Sequence, residues 1–260
     1  KRSHIEDFIQ WRRSYVIAKF DNTKNKGKLS NSTINRNLAV LSYFFNWCIK
    51  KEYYNKINPC FRTKLKEVNV REVKLDANQI KELLEKAQEQ NIRFYHCIAI
   101  ALLTGMRKGE ILSLTWYEID FDKRQIRLSQ YKTKSKKARV IPITTTLNDI
   151  LLRLYNNGNS NDLILPDMSR TILQKEWYKL LERLPFGYLN DGTKLRFHDL
   201  RHIYAQSLLD QGVQLEDIQV LLGHQSFETT QKRYAMFARP DLHDKAERIE
   251  NVIRLHKKSG

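Results

Sequence analysis

Between Ile119 and Ile143 the apolar spacing of this chain drops from the helical period to two, and the segments on either side keep the helical one. Ile119 and Phe121, a turn at Asp122-Lys123-Arg124, and Ile126-Arg127-Leu128 alternate as a hairpin does, and Val140, Ile141 and Ile143 suggest a third strand. Before this stretch, Ile5, Phe8, Ile9 and Val16 recur at helix-face spacing. So does the series Ile34, Leu38, Leu41, Phe44, Phe45 and Ile49, which is expected to face a core. Asp76 with Gln79 forms a capping-box start for Ile80, Leu83, Leu84 and Ala87, and Thr104-Gly105 ends a strongly apolar helix over 92–103. A short helical run covers 107–114. After the strands, helices are expected near 145–155, 169–183, 198–210, 214–222 and 227–236, with a last amphipathic helix over 240–256 starting at Pro240. The expected fold class is mainly α with one small antiparallel β-sheet.

Charge divides the chain. Residues 1–65 hold 14 Lys and Arg against 4 Asp and Glu, more than half of the net +17 of the 260 residues. A surplus this one-sided fits a polyanionic partner better than a merely solvated helical face. Residues 66–74 form a charged linker, so the expected domains are a helical unit over 1–65 and a larger unit over 75–260. No apolar run reaches the ~18–20 residues of a membrane span, so no membrane is expected. Cys48, Cys60 and Cys97 are odd in number and lack CxxC spacing, which argues against a disulfide scaffold and fits the cytoplasm. The start at Lys1-Arg2-Ser3, with neither an initiator Met nor a signal-peptide pattern, reads as that of an internal fragment.

Four strings can carry chemistry. In Thr104-Gly105-Met106-Arg107-Lys108-Gly109-Glu110, a Gly ends one helix and Arg107 opens the next, where a guanidinium beside free backbone N–H groups suits a phosphate oxygen; alone, such an Arg is usually a surface residue. Lys132 to Arg139 holds five cations in eight residues between two strands. It reads as a solvated hairpin tip, or as a device that carries a Lys beside a scissile phosphate to protonate a leaving alkoxide; charge counting does not choose among Lys132, Lys134 and Lys136. In His198-Asp199-Leu200-Arg201-His202, His198 and Arg201 share a helix face and could hold one phosphate. His198 and His202 also have a zinc-helix spacing, but Asp199 stands where a metalloprotease needs Glu, and no third ligand is signalled. In Leu222-Gly223-His224, Gly223 caps a helix and leaves His224 at its end, ten residues before Tyr234.

Taken in order, Arg, Lys on a hairpin, His-x-x-Arg, Gly-His and Tyr resemble the tyrosine recombinase (phage integrase) family over essentially the whole chain. TGMRKGEIL is similar to its first Arg box, HDLRH to its second, and LLGH with RY to its third. The resemblance implies a helical core-binding, DNA-binding domain over 1–65 and a catalytic domain over 75–260. It implies that Arg107 and Arg201 clamp the scissile phosphate, that His198 is an acid/base partner, that His224 hydrogen-bonds the phosphate, and that Tyr234 is the nucleophile. The family lysine stands eight residues before the Pro of the next strand, which selects Lys134 here, and Glu110 takes the supporting acidic role. The implied activity is site-specific DNA recombination, cleaving and rejoining strands through a 3′-phosphotyrosine without metal, ATP or other cofactor. The implied partner is a double-stranded DNA recombination site, gripped by the two domains as a basic clamp. A homotetramer on two sites would be joined through the C-terminal helix. The family commonly places its Tyr nine residues after the Gly-His histidine, one fewer than here. The competing expectations are a DNA-binding module without catalysis, a zinc hydrolase resting on His198 and His202, and topoisomerase-like relaxation.

Overall fold

The computed structural model describes residues 1–14, 29–66, 73–132, 138–156, 162–189, 192–224 and 226–234. Lys134, most of the 66–74 linker, Val16 and the whole 240–256 segment lie outside the described residues. The chain divides into two compact units, Lys1–Arg71 and Glu72–Gly260.

In the first unit, α1 (Arg2–Ser14) and α2 (Asn31–Lys50) pack through Ile5, Ile9, Ile34 and Leu38, with Cys60 closing the cluster. Ser30 starts α2 by accepting the Thr33 N–H. The connecting loops are tied by amides. Asn35 bonds both the N–H and the C=O of Leu65, and Asn58 bonds Ser42 and Asn46 while accepting the Cys60 N–H. The expected inward face of α2 is narrower than the sequence suggests. Leu41 and Phe45 pack on the core, but Phe44 and Ile49 are exposed. Phe44 is rotated off the Ile34–Leu38–Leu41–Phe45 stripe at about 100° per residue, and it stacks instead on Trp47. Ile49 keeps the phase but sits in the last turn.

The second unit is built around α4 (Ile92–Thr104), whose Phe94, Cys97, Ile98, Ala99, Ile100 and Ala101 are all buried. Helix α3 (Ala77–Gln90) starts with the expected Asp76–Gln79 capping box and packs along α4. Helices α5 (Lys108–Leu112), α6 (Thr145–Asn156), α7 (Arg170–Leu181) and α8 (Asp199–Asp210) complete the core. A three-stranded antiparallel sheet lies in the order β1 (Ile119–Asp120), β2 (Gln125–Leu128), β3 (Arg139–Pro142). Ile126 pairs with Ile141 and Leu128 with Arg139, so these four side chains share the inner face. That register corrects one expectation: Arg139 is not part of a solvated tip. It is a strand residue, buried in phase with Ile141 and Ile143, while Val140 points outward.

Helices α9 (Leu215–Leu222) and α10 (Phe227–Tyr234) form a third apolar cluster with α8, made of Ala205, Ile218, Leu222 and Tyr234. Among the described residues no helix is long and apolar enough to cross a membrane, and all three cysteines are free.

Candidate active site

Two left-handed glycines aim the ends of helices at one point. Gly105 ends α4 at φ +61°, and a Cβ there would collide with the Tyr204 ring and lie 2.9 Å from Leu222 Cδ2. Gly223 ends α9 at φ +64°, and a Cβ there would lie 2.8 Å from Arg139 Cδ and closer still to its guanidinium. At both positions the conformation and the close approach require glycine.

The turn after Gly105 delivers Arg107 to the N-cap of α5. Glu110, 3% exposed, reaches back to accept the Arg107 backbone N–H at 2.8 Å and Nη1 at 2.9 Å. The same carboxylate accepts Arg139 Nη2 at 2.8 Å from β3. Glu110 is therefore pinned between two guanidinia, one buried and one facing the open side of the site. Arg201, on the first turn of α8, donates Nη1 to the Gly105 carbonyl at 2.7 Å and Nη2 to the Leu222 carbonyl at 2.5 Å. Arg139 Nη1 donates to that same Leu222 carbonyl, and Arg107 Nη2 approaches the Gly223 carbonyl at 3.4 Å. The guanidinia thus gather on the C-terminal carbonyls of α9, the negative end of its dipole.

Three cations here face one carboxylate, an imbalance of two positive charges that an anion would relieve. Burial, with Arg107 and Arg139 as like-charged neighbours, pulls Arg201 down to about 9. Burial lowers Arg139 as well, against the pull of Glu110. Arg201 thus stays cationic at neutral pH, and Arg139 keeps its ion pair with Glu110. A phosphate entering the cluster would meet donors already oriented by protein carbonyls, so little reorganisation would be needed.

Beside the cations lies a ring cluster. His198 stands at the N-cap position of α8, its ring 5.2 Å from that of His202 one turn on, while the buried Asp199 accepts the Arg196 N–H at 2.7 Å. Tyr234 ends α10 with 3% exposure, and its hydroxyl is 2.7 Å from His202 Nδ1. His224 follows Gly223, its Nδ1 2.8 Å from Thr230 Oγ1. Lys132 Nζ donates to the Ser113 carbonyl at 2.7 Å and to Glu118 at 2.6 Å.

The structure therefore links Arg107 and Glu110 to Arg201 through Arg139, which shares the Glu110 carboxylate with Arg107 and the Leu222 carbonyl with Arg201, and sets Tyr234 against α8. Lys134 falls outside the described residues. Two residues carry more than the sequence reading gave them. Arg139 had a usable signal, the inward phase of Arg139, Ile141 and Ile143. His202, weighed as a zinc ligand, meets a phenol, and among the described residues no three His, Cys, Asp or Glu side chains gather to hold a metal.

The phage integrase family model matches residues 74–239, which contain every residue of this cluster. The chain belongs to that family. Among its relatives in the family, a XerC-like tyrosine recombinase of Caldanaerobacter subterraneus is 26% identical over 269 residues, covering 85% of this chain and 66% of the relative. The XerA tyrosine recombinase of Saccharolobus solfataricus is 29% identical over 231 residues, covering 87% and 72%. The ICEBs1 integrase of Bacillus subtilis is 26% identical over 279 residues, covering 96% and 75%. This integrase-family chain thus spans roughly two thirds to three quarters of these relatives' lengths. Its fold is that of the Tn1549 transposon integrase bound to a circular-intermediate DNA (TM-score 0.74, 20% identity, 96% of this chain and 85% of that one). It is also that of a λ integrase dimer bound to a core site (TM-score 0.63, 18% identity, 76% and 74%).

Proposed function

We propose that this integrase cleaves and rejoins duplex DNA at a specific site through a covalent 3′-phosphotyrosine at Tyr234. The observation that carries the reading is the cluster of three guanidinia, Arg107 and Arg139 on the single carboxylate of Glu110 and Arg201 beside them on the Leu222 carbonyl, next to a buried phenol. Arg107 and Arg201 take the non-bridging oxygens of the scissile phosphate, and His224 and His198 complete the cradle. Tyr234 Oη attacks phosphorus in line and the P–O5′ bond breaks. Lys134 gives its proton to the departing O5′. The ester energy is kept in the Tyr–phosphate bond, so a 5′-hydroxyl from a partner strand closes the backbone again without ATP. Fixed guanidinia supply the charge stabilisation that a divalent cation supplies elsewhere.

The XerC-like, XerA and integrase names of the relatives support recombination as the outcome of this chemistry. The basic residues 1–65 form the core-binding domain in this proposal, residues 75–260 the catalytic one. The C-terminal segment beyond Tyr234 joins protomers into a tetramer on two DNA sites, and the protein acts on DNA in the cytoplasm, at the nucleoid. The test is a nicked duplex whose cut fragment diffuses away, with core sites selected from a randomised pool by covalent capture. The wild type should give a denaturant-stable protein–DNA adduct, unchanged in excess EDTA, and Tyr234→Phe should bind the duplex and give none. A wild-type adduct in Tyr234→Phe rules the reading out, and loss of the wild-type adduct in EDTA rules out its metal-free form.

A further inference from the structure

We infer that His202 is a catalytic residue, the base that takes the proton of Tyr234 as it attacks, and the acid that returns it on religation. The inference rests on Tyr234 being the nucleophile. The resemblance gives the acid/base role to His198, which shares a face with Arg201, yet it is His202 Nδ1 that stands 2.7 Å from the phenol oxygen, so the inference moves that role to His202 and leaves His198 to the phosphate. That distance is within the reach a general base needs before any substrate arrives. In the tautomer protonated at Nε2, Nδ1 is a pure acceptor and the phenol O–H donates to it. His202 is half-buried, and its ring packs edge-on against His198 at 5.2 Å, which holds its plane. Tyr234 is buried among Ala205, Ile218 and Leu222, so its hydroxyl is not competing with bulk water for this contact.

The proton balance closes within the site. As the Oη–P bond forms, the Oη–H bond breaks and the proton passes to His202 Nδ1. The P–O5′ bond breaks, and O5′ is protonated by the leaving-group acid. In the reverse step the incoming 5′-hydroxyl attacks phosphorus and returns its proton to the leaving-group acid, now a base, while the P–Oη bond breaks and imidazolium His202 restores the phenol. Arg201 lies within electrostatic reach of Tyr234 and stabilises the oxygen while it is negative. Two histidines one turn apart thus divide the work. His202 serves the nucleophile and His198 the phosphate.

The test is single-turnover adduct formation on the nicked duplex, with duplex binding measured by gel shift. His202→Ala should lose on the order of 10²-fold or more in rate with binding retained. His202→Asn keeps a polar atom near Nδ1 that could hold the phenol but not accept its proton, and it should be as slow. Should His202→Ala fail to fold, His202→Asn carries the test. Both defects should persist on a duplex with a bridging 5′-phosphorothiolate, whose leaving group needs no acid. A wild-type rate in either variant overturns the inference, as does rescue by the phosphorothiolate, which would put His202 at the leaving group. Tyr234→Phe is run alongside. An adduct in that variant overturns the nucleophile assignment itself, whereas its absence together with fast His202 variants overturns only the role of His202.

Discussion

Replacing Glu110 by Gln should be the most damaging isosteric change in the catalytic unit. The carboxylate is 3% exposed and takes three donors, the Arg107 N–H, Arg107 Nη1 and Arg139 Nη2. A carboxamide offers one acceptor oxygen and turns an NH₂ group toward a guanidinium. Arg107 can swing its charge toward solvent, its side chain being 23% exposed, but the Arg139 side chain, at 5%, cannot. Breaking a buried pair from one side costs about 3–5 kcal/mol, because the other charge is left without its partner. For a unit of this size each kcal/mol lowers Tm by about 2–4 °C, so a drop of about 6–20 °C is expected. Removing the stranded charge should restore much of it. Glu110→Gln/Arg139→Met should melt well above Glu110→Gln alone, with a coupling of about 1–3 kcal/mol by double-mutant cycle. Adduct formation should stay about 10²-fold down in the double variant, since Arg107 has lost the carboxylate that orients it. Thermal unfolding by circular dichroism and the nicked-duplex assay read the two effects. Additive melting shifts, or a wild-type cleavage rate in the double variant, would refute this reasoning.

Two other perturbations separate cleanly. Gly223→Ala adds a Cβ against Arg139 at φ +64°, whereas Gly212→Ala at φ +82° meets no atom within 4 Å. Gly212→Ala should cost only the left-handed penalty of about 1–2 kcal/mol with cleavage intact, and Gly223→Ala should cost more and slow cleavage. Equal stability and activity in urea titrations and adduct assays would contradict the packing described. Arg201, pulled down to about 9 by burial and its cationic neighbours, loses its proton above that pH and with it the phosphate clamp. The kcat/KM for adduct formation should therefore be level in Arg201's charge through neutral pH and fall above pH 9. The limb in kcat should lie higher, because a bound phosphate stabilises the cation. A kcat/KM that keeps its neutral value well above pH 10 would contradict it.

How much of this was legible in the sequence depends on whether local rules or tertiary contacts decide. The Asp76 capping box and the left-handed ends at Gly105 and Gly223 are local, and each stands where the sequence puts it. The alternation marks the hairpin and the third strand, but β1 stops at Asp120, before Phe121, which falls in the turn. Arg139 was hidden because a run of cations reads as solvent-exposed, and only strand phase, not charge, turns it inward onto Glu110. Phe44 and Ile49 went the other way: apolar type suggested a core face, but Phe44 lies off the buried stripe of α2 and Ile49 in its last turn. The His202–Tyr234 contact joins residues 32 apart through the packing of α10 on α8 and α9, and no local pattern encodes it.

The central claim is that the phenol at position 234 becomes joined to a 3′ DNA end. Trapping the adduct on a nicked duplex, digesting it with protease and nuclease, and sequencing the modified peptide by mass spectrometry tests that claim most directly. The account predicts a nucleotide remnant on Tyr234, attached through its 3′-phosphate, with a 5′-hydroxyl on the released strand. A remnant on any other side chain, or a 5′-phosphate linkage, would contradict it.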